Sequence, residues 1–151
     1  MIAYKNLKDI LDLTIRWEKK LKDFYDVAEQ AFLNKDSKKA VEVLRDNLLR
    51  RLEVLQNINF EDFGKTEWIR YAADYKEDEL IPIKRVSRNS EPKNIFKQIL
   101  EYEVKLRDFY SGIAQNLITA KQKELFQSLA SFKDEQIFEI SRFMERYDLS
   151  K

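Results

Sequence analysis

The chain is expected to be all-α, a four-helix bundle made of two antiparallel helical hairpins joined by a long crossover. Three observations predict this. Glycine and proline occur only twice each among 151 residues, too few for the many tight turns of a β protein. Apolar residues recur at alternating spacings of three and four along four long segments, the period of a helix face. Most telling, residues 17–25 (WEKKLKDFY) return as residues 102–110 (YEVKLRDFY), matching at six of nine positions, a shift of 103 − 18 = 85. A repeat of that kind indicates one supersecondary unit present twice around a shared core.

The first hairpin is read over about 5–58. Leu7, Leu11, Thr14, Glu18, Leu21, Tyr25, Ala28 and Phe32 form the seam of a first helix, which at ~1.5 Å per residue would run roughly 40 Å. Asp36 or Ser37 is the expected N-cap of a second helix, with the seam Val41, Leu44, Leu48, Arg51, Leu55 and Ile58. The loop between them is short, so the two helices should be antiparallel neighbours. The crossover covers about 59–89, where Gly64 and Pro82 interrupt the pattern and residues 66–75 are expected as a short helix. The second hairpin is read over about 90–147. Ser90 is its expected N-cap, with Pro92 in the first turn. Its seams are Phe96, Ile99, Glu103, Leu106, Tyr110, Ile113 and Leu117, then Phe126, Leu129, Lys133, Gln136, Ile140, Phe143 and Tyr147. The offset of 85 persists here without a gap (Leu44/Leu129, Leu55/Ile140).

Apolar residues are 44% and charged residues 36%, which suits a single globular domain spanning 1–151. The 28 basic and 27 acidic residues are mixed along the chain, so no basic face recommends a nucleic-acid partner. Cysteine and histidine are both absent. Disulfides, thiolate sites and the usual nucleophile–histidine arrangements are thereby excluded. No signal-like segment or membrane-length apolar run is evident, and the expected compartment is the cytoplasm.

The plan of two hairpins, one crossover and a mid-helix Glu in each half resembles the ferritin-like di-iron carboxylate proteins. The residues are most similar to the rubrerythrin-like branch, in which the first helix of each pair carries a Glu followed seven residues later by Tyr. Here those are Glu18 to Tyr25 and Glu103 to Tyr110, and Leu129-Ala130 resembles the lead-in to the branch's Glu-x-x-His motif. The resemblance implies metal ligands at Glu18, 48, 51, Glu103, 133 and 136. The chain has Leu48, Arg51, Lys133 and Gln136 at the four remaining positions, so the implied di-iron site is degenerate.

Glu18, Arg51, Glu103 and Lys133 all fall on core-facing seams, where an unpaired carboxylate costs several kcal/mol. Two carboxylates and two cations sum to zero. The expectation is therefore a buried ion network in which Arg51 and Lys133 stand where metals would, supported by Gln136 and the Tyr25 and Tyr110 hydroxyls. Two other arrangements stay open: edge positions from which the long side chains reach water, and a retained metal. The functional expectation is a metal-free, non-catalytic structural, binding or regulatory module with no cofactor. The alternatives are an Fe or Mn di-metal oxidoreductase or metal-handling protein, and a small-ligand binder using the vacated site. The expected partners are a second copy, forming a homodimer through helix faces marked by Trp17 and Tyr102, or another protein. Neither a membrane nor nucleic acid is expected.

Overall fold

The computed structural model describes residues 2–63, 68–72 and 91–148. Four helices carry the core: α1 (Leu7–Ala31), α2 (Lys35–Gln56), α3 (Pro92–Gln115) and α4 (Ala120–Arg146). Each hairpin closes through a short loop, residues 32–34 in the first and 116–119 in the second, and the four helices form a bundle. Asn6 caps α1 by accepting the Asp9 amide at 2.9 Å, so the helix starts at Leu7, the first residue of the expected seam. The cap of α2 is Asn34, which accepts the Ser37 amide at 2.7 Å. Asp36 and Ser37, the expected caps, lie in the first turn instead. Glu91 precedes α3 with Pro92 in its first turn, and Ser90 lies outside the described residues.

The segment expected as a short helix behaves differently. Within 66–75, the described residues Trp68–Ala72 form strand β2, which pairs antiparallel with β1 (Ile2–Asn6) in a two-stranded ribbon. Ile2 stands opposite Ala72 and Asn6 opposite Trp68. Both strands are rich in aromatic and β-branched residues (Ile, Tyr; Trp, Ile, Tyr), which favour a pleated surface once a partner edge is present. A ladder joining residues so far apart in sequence leaves no local periodicity to read.

Packing between α1 and α3 sets the register of the bundle. Trp17 meets Phe109 edge-on with ring centroids 4.7 Å apart, and Phe24 meets Tyr102 edge-on at 5.3 Å. Phe32 stacks on Phe96 at 5.1 Å. As residue numbers rise along α1 they fall along α3, so the two helices are antiparallel. Trp17 and Tyr102 are 2% and 1% exposed. They are core aromatics rather than interface markers, because the wide apolar stripe of each helix carries them inward. Burying such a side chain contributes about 1.5–3 kcal/mol. On the outside of the first hairpin, Arg45 on α2 reaches Asp26 and Glu29 on α1. Among the described residues no helix is long and apolar enough to cross a membrane.

Candidate functional site

Glu18 and Tyr25 are seven residues apart on α1, two turns of helix, and therefore share a face. Glu103 and Tyr110 repeat the spacing on α3. Because α1 and α3 are antiparallel, each glutamate comes level with the tyrosine of the other helix. Tyr25 donates to Glu103 Oε1 at 2.6 Å, and Tyr110 donates to Glu18 Oε1 at 2.5 Å. Lys133 enters from α4 between the carboxylates. Its Nζ lies 2.6 Å from Glu18 Oε2 and 3.2 Å from Glu103 Oε2. The first contact is a hydrogen bond. The second is an ion pair whose angle makes no hydrogen bond, so Glu103 Oε2 has no donor. All five side chains are at most 1% exposed.

Charge balance follows from this geometry. Two ionised carboxylates against one ammonium would leave a net negative charge in a dry core, which is costly. Burial pushes the Glu103 carboxyl up from its ordinary value; the Lys133 charge opposes that rise and the Glu18 charge adds to it. Burial works against the Lys133 charge, but Glu103 and Glu18 together outweigh it and raise the ammonium above its usual range. Tyr25 and Tyr110 are held well above the usual phenol value, first by burial and then by the carboxylates they touch. The site is thus neutral when Glu103 holds a proton, Glu18 is ionised and Lys133 is charged.

Arg51 corrects the expected network. It is half-buried, its guanidinium lies over the Phe132 ring at 4.9 Å from the centroid, and among the described residues it has no carboxylate partner. The position is on the flank of the α2 seam, so the long side chain turns along α4 toward solvent, where its charge stays hydrated. Gln136 also departs from the expectation. Its amide donates to the Leu44 carbonyl at 2.9 Å and accepts from Asn47 at 3.2 Å, tying α4 to α2 rather than serving the glutamates. Leu48, level with the triad, is fully buried and apolar. That the two carboxylates share one cation instead of two was missed by the sequence reading. What distinguishes the two cations is that Lys133, unlike Arg51, has buried residues on both sides of its seam.

The residues do not fit the di-iron centre that the resemblance implies. The Lys133 ammonium already bridges the two carboxylates, and the tyrosine hydroxyls occupy the outer oxygens. Leu48 offers no lone pair, and Arg51 and Gln136 do not reach the carboxylates. Among the described residues no group of three or more His, Cys, Asp or Glu is placed to hold a metal ion. The vacated ligand positions do not form a chamber either: Leu48, Tyr25 and Tyr110 are all 0% exposed, and both hydroxyls are engaged. The open space lies elsewhere, in a groove of about 950 Å³ between α2 and α4 that Gln136 touches from below. No protein-family model, curated protein or solved structure matches the chain.

Proposed function

We propose that this chain is a ferritin-like, rubrerythrin-like bundle, arisen by duplication of a helical hairpin, whose di-metal site has been replaced by a buried ion triad. Its role is then structural or interactive, a non-catalytic binding or regulatory module. The observation that carries the reading is the Lys133 ammonium lying within 3.2 Å of both core carboxylates. An ammonium there supplies the positive charge that a ferritin-like core otherwise takes from metal. It also stands between the two glutamate oxygens that would otherwise face a shared ligand. The duplication is supported by the exchanged Tyr–Glu bonds and by the exchanged edge-on aromatic pairs, each of which maps onto its counterpart under the offset of 85.

Elemental analysis tests the reading, using protein grown in iron- and manganese-supplemented medium and never exposed to chelator. Near-zero metal per chain is expected. One or two equivalents of Fe or Mn that disappear in a Glu18→Gln, Glu103→Gln variant would instead establish a metal-handling or redox protein with a histidine-free site.

A further inference from the structure

The groove between α2 and α4 runs most of the length of the bundle. Its central part, about 950 Å³, continues past Val43 and Glu139 toward Tyr147, and past Arg51 and Val54 toward Leu125. Phe132 contributes to its floor, and Val43, Val54 and Phe138 rise from it 43%, 58% and 61% exposed. These three exposed apolar side chains line one groove rather than standing singly on the surface.

The walls of the groove carry opposite charges at its centre. Arg50 and Arg51 stand on the α2 wall, and Glu135 and Glu139 on the α4 wall. Among the described residues Arg50, Arg51 and Glu135 have no ion-pair partner, and Glu139 has only a loose contact at 3.7 Å with exposed Arg142. Two of these charges, Arg50 and Glu135, also come close to one level. Arg51 covers Phe132 and Asn47 bonds Gln136, so α2 and α4 are antiparallel and Arg50 lies close in height to Glu135.

We infer that this face binds a second copy of the chain, through a two-fold axis running along the bundle. Such an axis keeps every residue at its own height while turning α2 of one protomer onto α4 of its partner. The basic wall then meets the acidic wall twice, and the exposed Phe138 side chains enter the facing grooves. An axis across the bundle would set α2 on α2 and α4 on α4, like charge on like. A closed dimer needs a surface that contains its own complement, and this one does. Toward the Tyr147 end the walls are of mixed sign, with Asp36 and Lys39 facing Arg142 and Arg146, so the central charges set the register. The inference rests on the interactive role proposed above and names its partner.

The test is the solution mass of the full chain, by sedimentation equilibrium or light scattering, with far-UV circular dichroism and thermal melting to show that each variant folds. The wild type is expected at twice the 18.2 kDa chain mass at micromolar concentration. Phe138→Glu should give monomers. Arg50→Glu with Arg51→Glu, and separately Glu135→Arg with Glu139→Arg, should each give folded monomers, because both pairs of facing walls become alike. An equimolar mixture of those two variants should restore a dimer containing one chain of each. A monomeric wild type would overturn the inference. So would folded charge-reversed variants that stay dimeric, or a mixture that stays monomeric. Metal content is measured separately. A metal-loaded dimer would defeat the proposed function alone, and a metal-free monomer would defeat this inference alone.

Discussion

The two hairpins bring the same carboxylate and the same tyrosine to the bundle core, yet they differ at the positions their second helices point at it. At the level of the triad α2 supplies Leu48 and α4 supplies Lys133, positions equivalent under the offset of 85, and both are fully buried. One turn further along, α2 supplies Arg51, which leans outward over Phe132, and α4 supplies Gln136, which bonds the Leu44 carbonyl. The difference teaches how little is needed to make a pair of core carboxylates tolerable. One ammonium between them and one tyrosine hydroxyl on each suffice, and the other hairpin is free to fill its half with a hydrocarbon side chain.

The comparison is broken most severely by making the second hairpin like the first. Lys133→Leu removes the only cation among the described residues in contact with Glu18 and Glu103, and should cost about 3–5 kcal/mol, the range for stranding one partner of a buried pair. Urea unfolding followed by circular dichroism would measure it. Moving the cation sharpens the comparison. Leu48→Lys combined with Lys133→Leu should recover more than half of that loss, since the exchanged Tyr–Glu bonds make the carboxylates equivalent seen from α2 or α4. No recovery would mean that the two approaches to the site are unequal.

The tyrosines come next. Tyr110→Phe and Tyr25→Phe should each cost about 1–3 kcal/mol, because each removes the hydroxyl that bonds a buried carboxyl of the other helix. Denaturation midpoints of the two variants, measured side by side, give the two losses directly. Clearly unequal losses would show that the two exchanged bonds are not equivalent.

Dependence on pH follows from the same assignment. Glu103 is raised from 4.5, so above that value the folded state holds a proton that the unfolded chain has released. Stability should therefore fall as pH rises from about 4.5 through the folded pKa, and level off beyond it. Lys133, Tyr25 and Tyr110 are also raised, so their contribution is complete at neutral pH and is lost only as pH climbs above their ordinary values of 10.5 and 10.0. Thermal melts across this range should show both declines in the wild type, and Glu103→Gln should abolish the acidic one while keeping the alkaline one. The smallest effect is expected at Arg51. Its replacement by leucine forfeits a cation–π contact worth roughly 0.5–1 kcal/mol, against the several expected had it paired in the core.

Much of this architecture was legible before any coordinates. The alternating three-and-four spacing located four helices, and the short loops paired them into hairpins. The position of Glu18, Tyr25, Glu103 and Tyr110 on apolar seams placed all four in the core. Lys133 was legible in the same way. Arg51 was misplaced because its seam position lies at the flank of the stripe, where a rotation of a few tens of degrees separates core from surface. Trp17 and Tyr102 were misread in the opposite sense, since each stands beside the narrow seam but within the wider face that α1 and α3 present to one another. The strand Trp68–Ala72 was read as helix because its partner edge, Ile2–Asn6, is remote in sequence.

The sequence by itself determined what depends on a single helix: its extent, its buried face, and the two-turn spacing that aligns each glutamate with a tyrosine. Those properties follow from 3.6 residues per turn and need no neighbour. Only the tertiary structure decided which tyrosine meets which glutamate and which cation stands between them. Such contacts depend on the relative height and rotation of helices that are distant in the chain. A shift of one turn moves a side chain by about 5.4 Å, more than the reach of a hydrogen bond, and no spacing within one helix records it.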